Sequence, residues 1–485
     1  MKFLRSFFII FVFALVMCSA ASAQDFIFRL SEDAVMPLSL DEDYKYLGSL
    51  GGLYYIGSDE EELQRMLEAG IIESYVPDAE VYLMDDANDV DFMTQYDYEY
   101  NVTNARTVVN NGTYDGRGVR VGIIDTGIAT AHPDIDYSKI VGRRNVAESS
   151  DDVTDRQGHG TSVTGVVSAI TNNGIGVSSL APGAELVIVK AFAGSSNTTS
   201  VSILINALDY AVKAGCDVIN MSVGAIIDSN SRGAIAEMER VINEAAAKGV
   251  IVVASSGNHD TKTPDKPSED SPLMYPAACA NSVSVASVDS NGHYSSFSFH
   301  NKTVDIAACG GSLRLLDINN PFTSKNGSGT SFSAPYISSV AALAKQIKPD
   351  ITVGEFKELM ASTARDAGEP GWDTHYGNGI VNVSKFMDAL LGPSITVDSI
   401  DIDEENWKAS AKIANNGFDT HEVMDIWYME DADGVRYNTR VEITPVPPRS
   451  SVITKAYDAM LKVRHMVWLK ENLEPLCKAD EYVLE

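Results

Sequence analysis

An aspartate, a histidine and a serine, each set among small residues, are the parts of this 485-residue sequence that could act together on a carbonyl. Asp125 closes the apolar run VRVGIID and opens DTG. A carboxylate at the end of a buried strand needs a partner, because an unpaired buried charge is costly. Taken alone, it also reads as a turn aspartate bonded to local backbone. The aspartic-protease use of DTG needs a second matching motif to share the proton, and no second D-[ST]-G occurs. His159 lies in RQGHGTSVTGVVSAI, between glycines that let backbone pack close around its ring. No HExxH zinc motif exists; in HEVMD the place of a second histidine is taken by Asp425.

Ser331 lies in NGSGTSFSAP, just ahead of the helical segment PYISSVAALAKQIKP. That segment puts Val340, Leu343, Ala344 and Ile347 on one face, and Pro335 falls in its first turn, where a missing N–H is harmless. Ser331 is thereby predicted at the positive end of a helix, beside N–H groups without intrahelical acceptors. An N-cap serine would occupy the same place, and Thr330 and Ser333 are also available for capping. Jointly the three residues say more than each alone. Asp, His, Ser in that chain order is one catalytic-triad order, whereas α/β-hydrolases run Ser, Asp, His and carry G-x-S-x-G. The context Gly329-Thr330-Ser331-Phe332-Ser333 is not that elbow.

These residues need elements to position them. From about 100 to 391, apolar runs (VRVGIID, ELVIVKAF, CDVINMSV, VIVVASSG) alternate with helical segments such as ALDYAVKAG and AEMERVINEAAAKG. The alternation predicts an α/β domain, a parallel sheet with helices on both faces, whose reactive groups collect at the C-terminal strand ends. Residues 24–84 carry short strand-like runs (FIFRL, LYYIG, IIESYV, AEVYLM) and the helix DEEELQRMLEAG, with Leu63, Met66 and Leu67 on one face and Gly70 as its stop. This is a small α+β unit, and an acidic, tyrosine-rich stretch connects it to the next. After Gly392-Pro393 the pattern turns to period two in WKASAKI and VRYNTRVEI, with DADG as a turn, predicting a small antiparallel β-sandwich over 392–485.

Length and 45% hydrophobic residues fit two or three globular domains. A formal charge of −30 argues against nucleic acid or an anionic membrane surface as partner. Lys2 and Arg5 before an apolar run from Phe7 to Met17, then Ala21-Ser22-Ala23, read as a signal peptide over 1–23, which implies a secreted, extracellular or periplasmic protein. Cys18 offers lipid attachment as an alternative, disfavoured by the bulky Met17 before it. No stretch predicts a membrane span. Export permits disulfides among Cys216, Cys279, Cys309 and Cys477, whose pairing the sequence leaves open, with small buried thiols the plainer reading of Cys216 and Cys279.

At VGIIDTGI, GHGTSVTGVV and GTSFSAP the sequence resembles the subtilisin-like serine proteases, and HPDI at 132–135 and YPAA at 275–278 resemble further segments of that family. The likeness covers roughly 100–391. It implies a catalytic domain over 85–391 and a serine endopeptidase acting on polypeptides, with Asp125, His159 and Ser331 as the triad. VVASSGNHD matches the segment whose asparagine donates to the oxyanion, which assigns that role to Asn258. By the same resemblance Ser222, Val223 and Gly224 would pair with the substrate backbone as an added strand, walling a specificity pocket with Ala254, Ser255 and Gly257. TNNGIGVSSLAP resembles a calcium-binding loop, which makes Asn173 and Asp134 candidate ligands of a structural calcium; the chemistry itself requires no cofactor. Residues 24–84 would be a propeptide that assists folding and inhibits until self-cleavage near 83–88. A monomer is expected. Ser162, Thr164, Phe332, Ser333 and Cys309 stand where the family more often has other residues.

Overall fold

The computed structural model describes residues 26–31, 45–48, 54–57, 60–77, 87–95, 99–226, 232–259, 270–392, 395–403, 408–418, 421–430, 436–446, 450–453, 457–458, 462–469 and 481–483. The proposed signal peptide, AEVYLM, the DADG turn and Cys477 lie outside them. The chain divides into two compact units, Met1–Met84 and Asp85–Glu485. In the first, β1 (Phe26–Leu30), β2 (Lys45–Gly48), β3 (Tyr54–Gly57) and β4 (Ile72–Pro77) form an antiparallel sheet in the order β2-β3-β1-β4. Helix α1 (Glu60–Glu68) buries Leu63 and Met66 and stops at Gly70, whose φ of +71° favours glycine.

The second unit opens with the short helices α2 (Phe92–Gln95) and α3 (Arg106–Asn111). Its sheet contains β5 (Arg120–Asp125), β6 (Ile140–Asn145), β7 (Glu185–Lys190), β8 (Val218–Met221), β10 (Ile251–Ser255), β12 (Ser282–Val288) and β13 (Ile306–Cys309). The two-residue strands β9 (Ala225–Ile226) and β11 (Met274–Tyr275) pair with each other outside it. The order is β13-β12-β10-β8-β5-β7-β6, and all its pairs are parallel. Edge strand β6, with its charged and half-exposed IVGRRN, and strands β12 and β13 are additions to the runs that the sequence singled out.

Burial on both faces explains the continuous apolar runs. Helices α4 (His159–Ser168) and α7 (Thr330–Ile347) cover one face, and α5 (Val201–Lys213) and α6 (Arg232–Ala247) the other. Val121, Ile123, Val253 and Val285 point into the first layer with Ile337, Val340 and Leu343, whereas Ile124, Val187, Ile219 and Val252 meet Leu208 and Ile242 in the second. Helix α7 is buried along nearly its whole length, which suits its content of Ala and Ser. Between β13 and α7 the chain makes the antiparallel hairpin β14 (Leu313–Leu316) and β15 (Ser324–Gly327). Helices α8 (Val353–Thr363) and α9 (Val383–Leu391) complete this α/β part. Chain direction across the sheet reverses at β5, and a crevice opens at such a switch point, beyond the carboxyl ends of the strands.

The C-terminal residues form two antiparallel four-stranded sheets. One contains β16 (Ile395–Asp403), β17 (Lys408–Asn415), β20 (Ser450–Ile453) and β21 (Tyr457–Asp458). The other is ordered β19 (Arg436–Val446), β18 (His421–Glu430), β22 (Lys462–Leu469), β23 (Glu481–Val483). Phe418 ties this part to the α/β core. Its N–H donates to Asp388 Oδ1 at 2.7 Å, and its buried ring meets Tyr114 edge-on at 6.1 Å. Phe418→Ala, made in a Ser331→Ala background, is expected to cost about 3–5 kcal/mol in denaturant unfolding, as for other buried Phe-to-Ala truncations. A loss under about 1 kcal/mol would show that the anchor contributes little.

Candidate active site

Asp125 is the last residue of β5, at the switch point, and is only 1% exposed. Its Oδ1 accepts the Thr126 N–H at 2.7 Å and lies 2.8 Å from Nδ1 of His159, the first residue of α4. Asp125 Oδ2 is buried with no hydrogen-bond partner among the described residues. The carboxylate is therefore left to the histidine for compensation, as a triad orienter requires. Glycine packing brings α4 this close: a side chain at Gly160 would strike the Gly127 carbonyl, and the Gly160 N–H donates to Thr126 Oγ1 at 2.8 Å.

Two charged residues missed in the sequence hold this corner. Asp155 accepts hydrogen bonds from the N–H groups of Gln157, Gly158 and Thr161 and from the hydroxyls of Thr126 and Thr161, all at 2.7–3.0 Å. Burial pushes its carboxyl pKa up, but these donors outweigh burial and bring it below the usual value. Lys190, paired with Asp125 in the β5–β7 register, is buried and donates to the Thr126 and Gly194 carbonyls at 2.5 and 3.2 Å. Thr126 is thus bonded through its N–H, hydroxyl and carbonyl to three separate elements of the site. The one sequence signal for Lys190 is a charge ending the apolar run ELVIVK.

Ser331 is the second residue of α7, where backbone N–H groups lack intrahelical acceptors. The helix N-cap is Gly329, and neither Thr330 nor Ser333 caps it. Thr330 instead grips the oxyanion candidate: its N–H and hydroxyl lie 3.0 and 3.1 Å from Asn258 Oδ1, leaving the Asn258 Nδ2 donor for other use. A methyl on Gly329 would lie 3.7 Å from both Asn258 Nδ2 and the Ser331 nitrogen, so the two donors converge on space that only glycine leaves open. Ser333 Oγ is buried without a partner among the described residues.

The Ser331 hydroxyl lies 3.4 Å from the Ser222 carbonyl and makes no hydrogen bond to His159. Free sites often hold catalytic hydrogen bonds loosely and tighten them on substrate binding. Ser222 Oγ in turn donates to the Ser331 carbonyl at 2.6 Å, in a chain that runs on through Asn220 to Ser338 of α7. The Phe332 ring lies 5.6 Å from the His159 ring. Ser222, Val223 and Gly224 line a cleft of about 360 Å³ with His159, Phe192 and Leu204. Ala254 and Ser255 do not line it; both are buried within β10. A methyl on Gly224 or Gly257 would lie 2.5 or 2.9 Å from Met274, which therefore fills the space between these two strand ends.

Asp134 and Asn173 are brought together, but as acceptor and donor. Asn173 Nδ2 donates to Asp134 Oδ1 at 2.9 Å, Val177 N–H to Asp134 Oδ2 at 3.0 Å, and Asn173 Oδ1 accepts Ile175 N–H at 2.8 Å. Burial pushes the Asp134 carboxyl up to about 7. Calcium requires six to eight oxygen ligands, and here the amide turns its nitrogen toward the carboxylate. So arranged, the pair does not fit a calcium cage. The loop is held instead by Asp89, which accepts from the N–H groups of Asn172 and Asn173 at 3.0 Å and from Ser178 Oγ at 2.5 Å. Cys216, Cys279 and Cys309 are all buried, and Cys216 and Cys279 are free thiols.

With this geometry, comparisons with known proteins decide the family. The model of the Subtilase family matches residues 116–379, more than half of the chain. The chain belongs to the subtilase family. It is 33% identical to Subtilisin DY of Bacillus licheniformis over 270 residues, 56% of this chain and 91% of that protein. It is 35% identical to Subtilisin Savinase of Lederbergia lenta over 56% of this chain and 92% of that protein. The match to M-protease of Shouchella clausii, also 35% identical, spans 65% of that protein. Among solved structures, that of the Pseudoalteromonas arctica PAMC 21717 proteases is 28% identical, with a TM-score of 0.53 over 63% of this chain and all of that one. MycP1 with its N-terminal propeptide removed is 25% identical, with a TM-score of 0.50 over 59% and 95%. As a subtilase the chain is a serine endopeptidase, and the seven-stranded parallel sheet is the subtilisin-like fold.

The surroundings of His159 fix the pH dependence to be expected of it as a candidate general base. Burial pushes its pKa down; the Asp125 charge and hydrogen bond, with Asp155, push it up, and Lys325 opposes them. The result lies above the usual 6.5. A general base must be neutral, so with His159 in that role kcat/KM is expected to fall as pH drops through a midpoint above 6.5. Asp125→Asn should lower that midpoint as well as kcat. A wild-type midpoint below about 6 in the pH–rate profile would contradict this account.

Proposed function

We propose that this chain is an exported, self-processing endopeptidase whose triad is Asp125, His159 and Ser331. The observation that carries the reading is the 2.8 Å Asp125–His159 bond at the switch point where Thr330, the residue before Ser331, holds Asn258. The Asp125 carboxylate keeps the proton on His159 Nδ1, which leaves Nε2 as the base. When a peptide enters, the Ser331 hydroxyl turns from the Ser222 carbonyl to Nε2, gives up its proton and attacks the scissile carbonyl. Asn258 Nδ2 and the Ser331 N–H hold the oxyanion. His159 then protonates the leaving amine, and water repeats the sequence on the acyl-enzyme.

The acyl half of the substrate lies along Ser222–Gly224 as an added strand, a mode that reads extended peptides through backbone. Its side chains enter the cleft beside Phe192 and Leu204. Residues 24–84 act as the propeptide, an intramolecular inhibitor, ahead of a catalytic domain over 85–391 and a β domain over 392–485. MycP1, whose structure was solved with its N-terminal propeptide removed, also has an N-terminal propeptide. The N-terminal basic and apolar pattern over 1–23 supports export.

A fluorophosphonate probe is expected to label the processed wild type and not Ser331→Ala, which should accumulate at the precursor mass. An unlabelled wild type after propeptide removal would refute the catalytic assignment, and a Ser331→Ala chain that matures in a protease-free host would refute self-processing. Asn258→Ala should lower kcat roughly 10²–10³-fold with little change in KM, a magnitude carried over from subtilisin itself. Burst and steady-state kinetics on a peptide amide measure it.

A further inference from the structure

The hairpin that leads into the nucleophile carries an ammonium beside the catalytic histidine. Lys325, on β15, stands opposite Leu315 of β14. The hairpin is bound to the histidine's own helix: Ser162 Oγ donates to the Leu316 carbonyl at 2.9 Å, and a methyl on Gly165 would lie 2.5 Å from Leu316. A methyl on Gly158, the residue before His159, would lie 3.2 Å from Ile318 and 3.7 Å from Lys325 Nζ. Lys325 is half-buried and makes no hydrogen bond or ion pair among the described residues. The neighbouring cation of the hairpin, Arg314, is paired with Asp91 at 3.5 Å. An unpaired ammonium is unexpected in a chain with 67 acidic and 37 basic residues.

Its position relates to the substrate's direction. The cleft that takes the acyl half is lined by Ser222–Ala225, Phe192 and Leu204 and by no residue of the hairpin. His159 lines that cleft, and Gly158 just before it abuts Ile318 and Lys325, so a peptide continuing past His159 away from the cleft would pass the hairpin. We propose that Lys325 makes this enzyme select an acidic side chain within the first residues on the leaving side of the scissile bond. The proposal rests on the endopeptidase reading above. One substrate that meets it is the chain itself. The two units divide between Met84 and Asp85, and the residues that follow, DDANDVD, hold four aspartates in seven positions. The effect of Lys325 on His159 agrees with its closeness: among the charges facing the ring, Asp125 and Asp155 raise the imidazole pKa and Lys325 lowers it.

The experiment uses the processed enzyme and three peptides, AEVYLMDDANDV, AEVYLMAAANDV and AEVYLMKKANDV, with cleavage products identified by mass. Wild type is expected to cleave the Asp-Asp peptide before the acids, about five- to ten-fold faster in kcat/KM than the Lys-Lys peptide at low ionic strength, the scale of an exposed charge pair. That ratio should collapse in ~1 M salt. Lys325→Met should abolish the preference. Lys325→Glu should reverse it and move the acid limb of the pH–rate profile upward, a shift that a merely structural role for the hairpin would not give. Equal rates on the three peptides, cleavage that leaves the acids on the acyl side, or an unchanged ratio in Lys325→Glu would overturn the proposal. Cleavage of none of them, by an enzyme that also resists fluorophosphonate, would overturn the endopeptidase reading and this inference with it.

Discussion

Everything in the catalytic corner depends on a carboxylate that the fold removes from water. Asp125 ends a strand buried on both faces, and desolvating it without compensation would be expensive. The sheet offers only the Thr126 N–H, so the remaining compensation has to come from His159. The requirement propagates outward. It needs Gly160 to let α4 approach, Asp155 to gather the loop N–H groups before that helix, and Lys190 to fix the carbonyl side of Thr126. Nearly every polar bond of the corner passes through Thr126 or Asp155, which makes them positioning residues for a reaction they do not touch.

The nucleophile's side is built on a different economy of groups. Helix α7 is buried along most of its length, and its first turn begins at glycine rather than at a side-chain cap. An N-cap hydroxyl would occupy N–H groups that an oxyanion can use. The hydroxyl that would have capped the helix, on Thr330, instead fixes which way the Asn258 amide faces. Because that amide's oxygen accepts two donors, its nitrogen is the atom left to meet developing negative charge. Ser222 and Asn220 link the strand edge to the same helix, so hydrogen bonds tie the cleft wall to the residue proposed as nucleophile.

The set proposed as catalytic was read from sequence for a physical reason. Asp125, His159, Asn258 and Ser331 each sit where an apolar periodic run meets small residues, and the local pattern reports such junctions. The candidate calcium ligands Asp134 and Asn173 were read from the same kind of pattern, and the structure sets them against each other as acceptor and donor. Whether Asn173 turns oxygen or nitrogen toward Asp134 depends on the Ile175 N–H, and the loop's anchor, Asp89, comes from a stretch that reads only as an acidic connector. Ala254 and Ser255 belong to the right strand, but register against β8 and β12 buries them.

By itself, then, the sequence determined the alternation of buried strands and amphipathic helices, and with it the edge where reactive side chains gather. It also singled out the proposed triad, whose motifs carry glycines such as Gly127 and Gly160, where a side chain would strike backbone. Tertiary structure alone decided which groups surround them. Asp155, Lys190, Thr330 and Lys325 carry no periodic signature, because hydrogen bonds and charges act across space between residues whose separation in the chain encodes nothing about their distance.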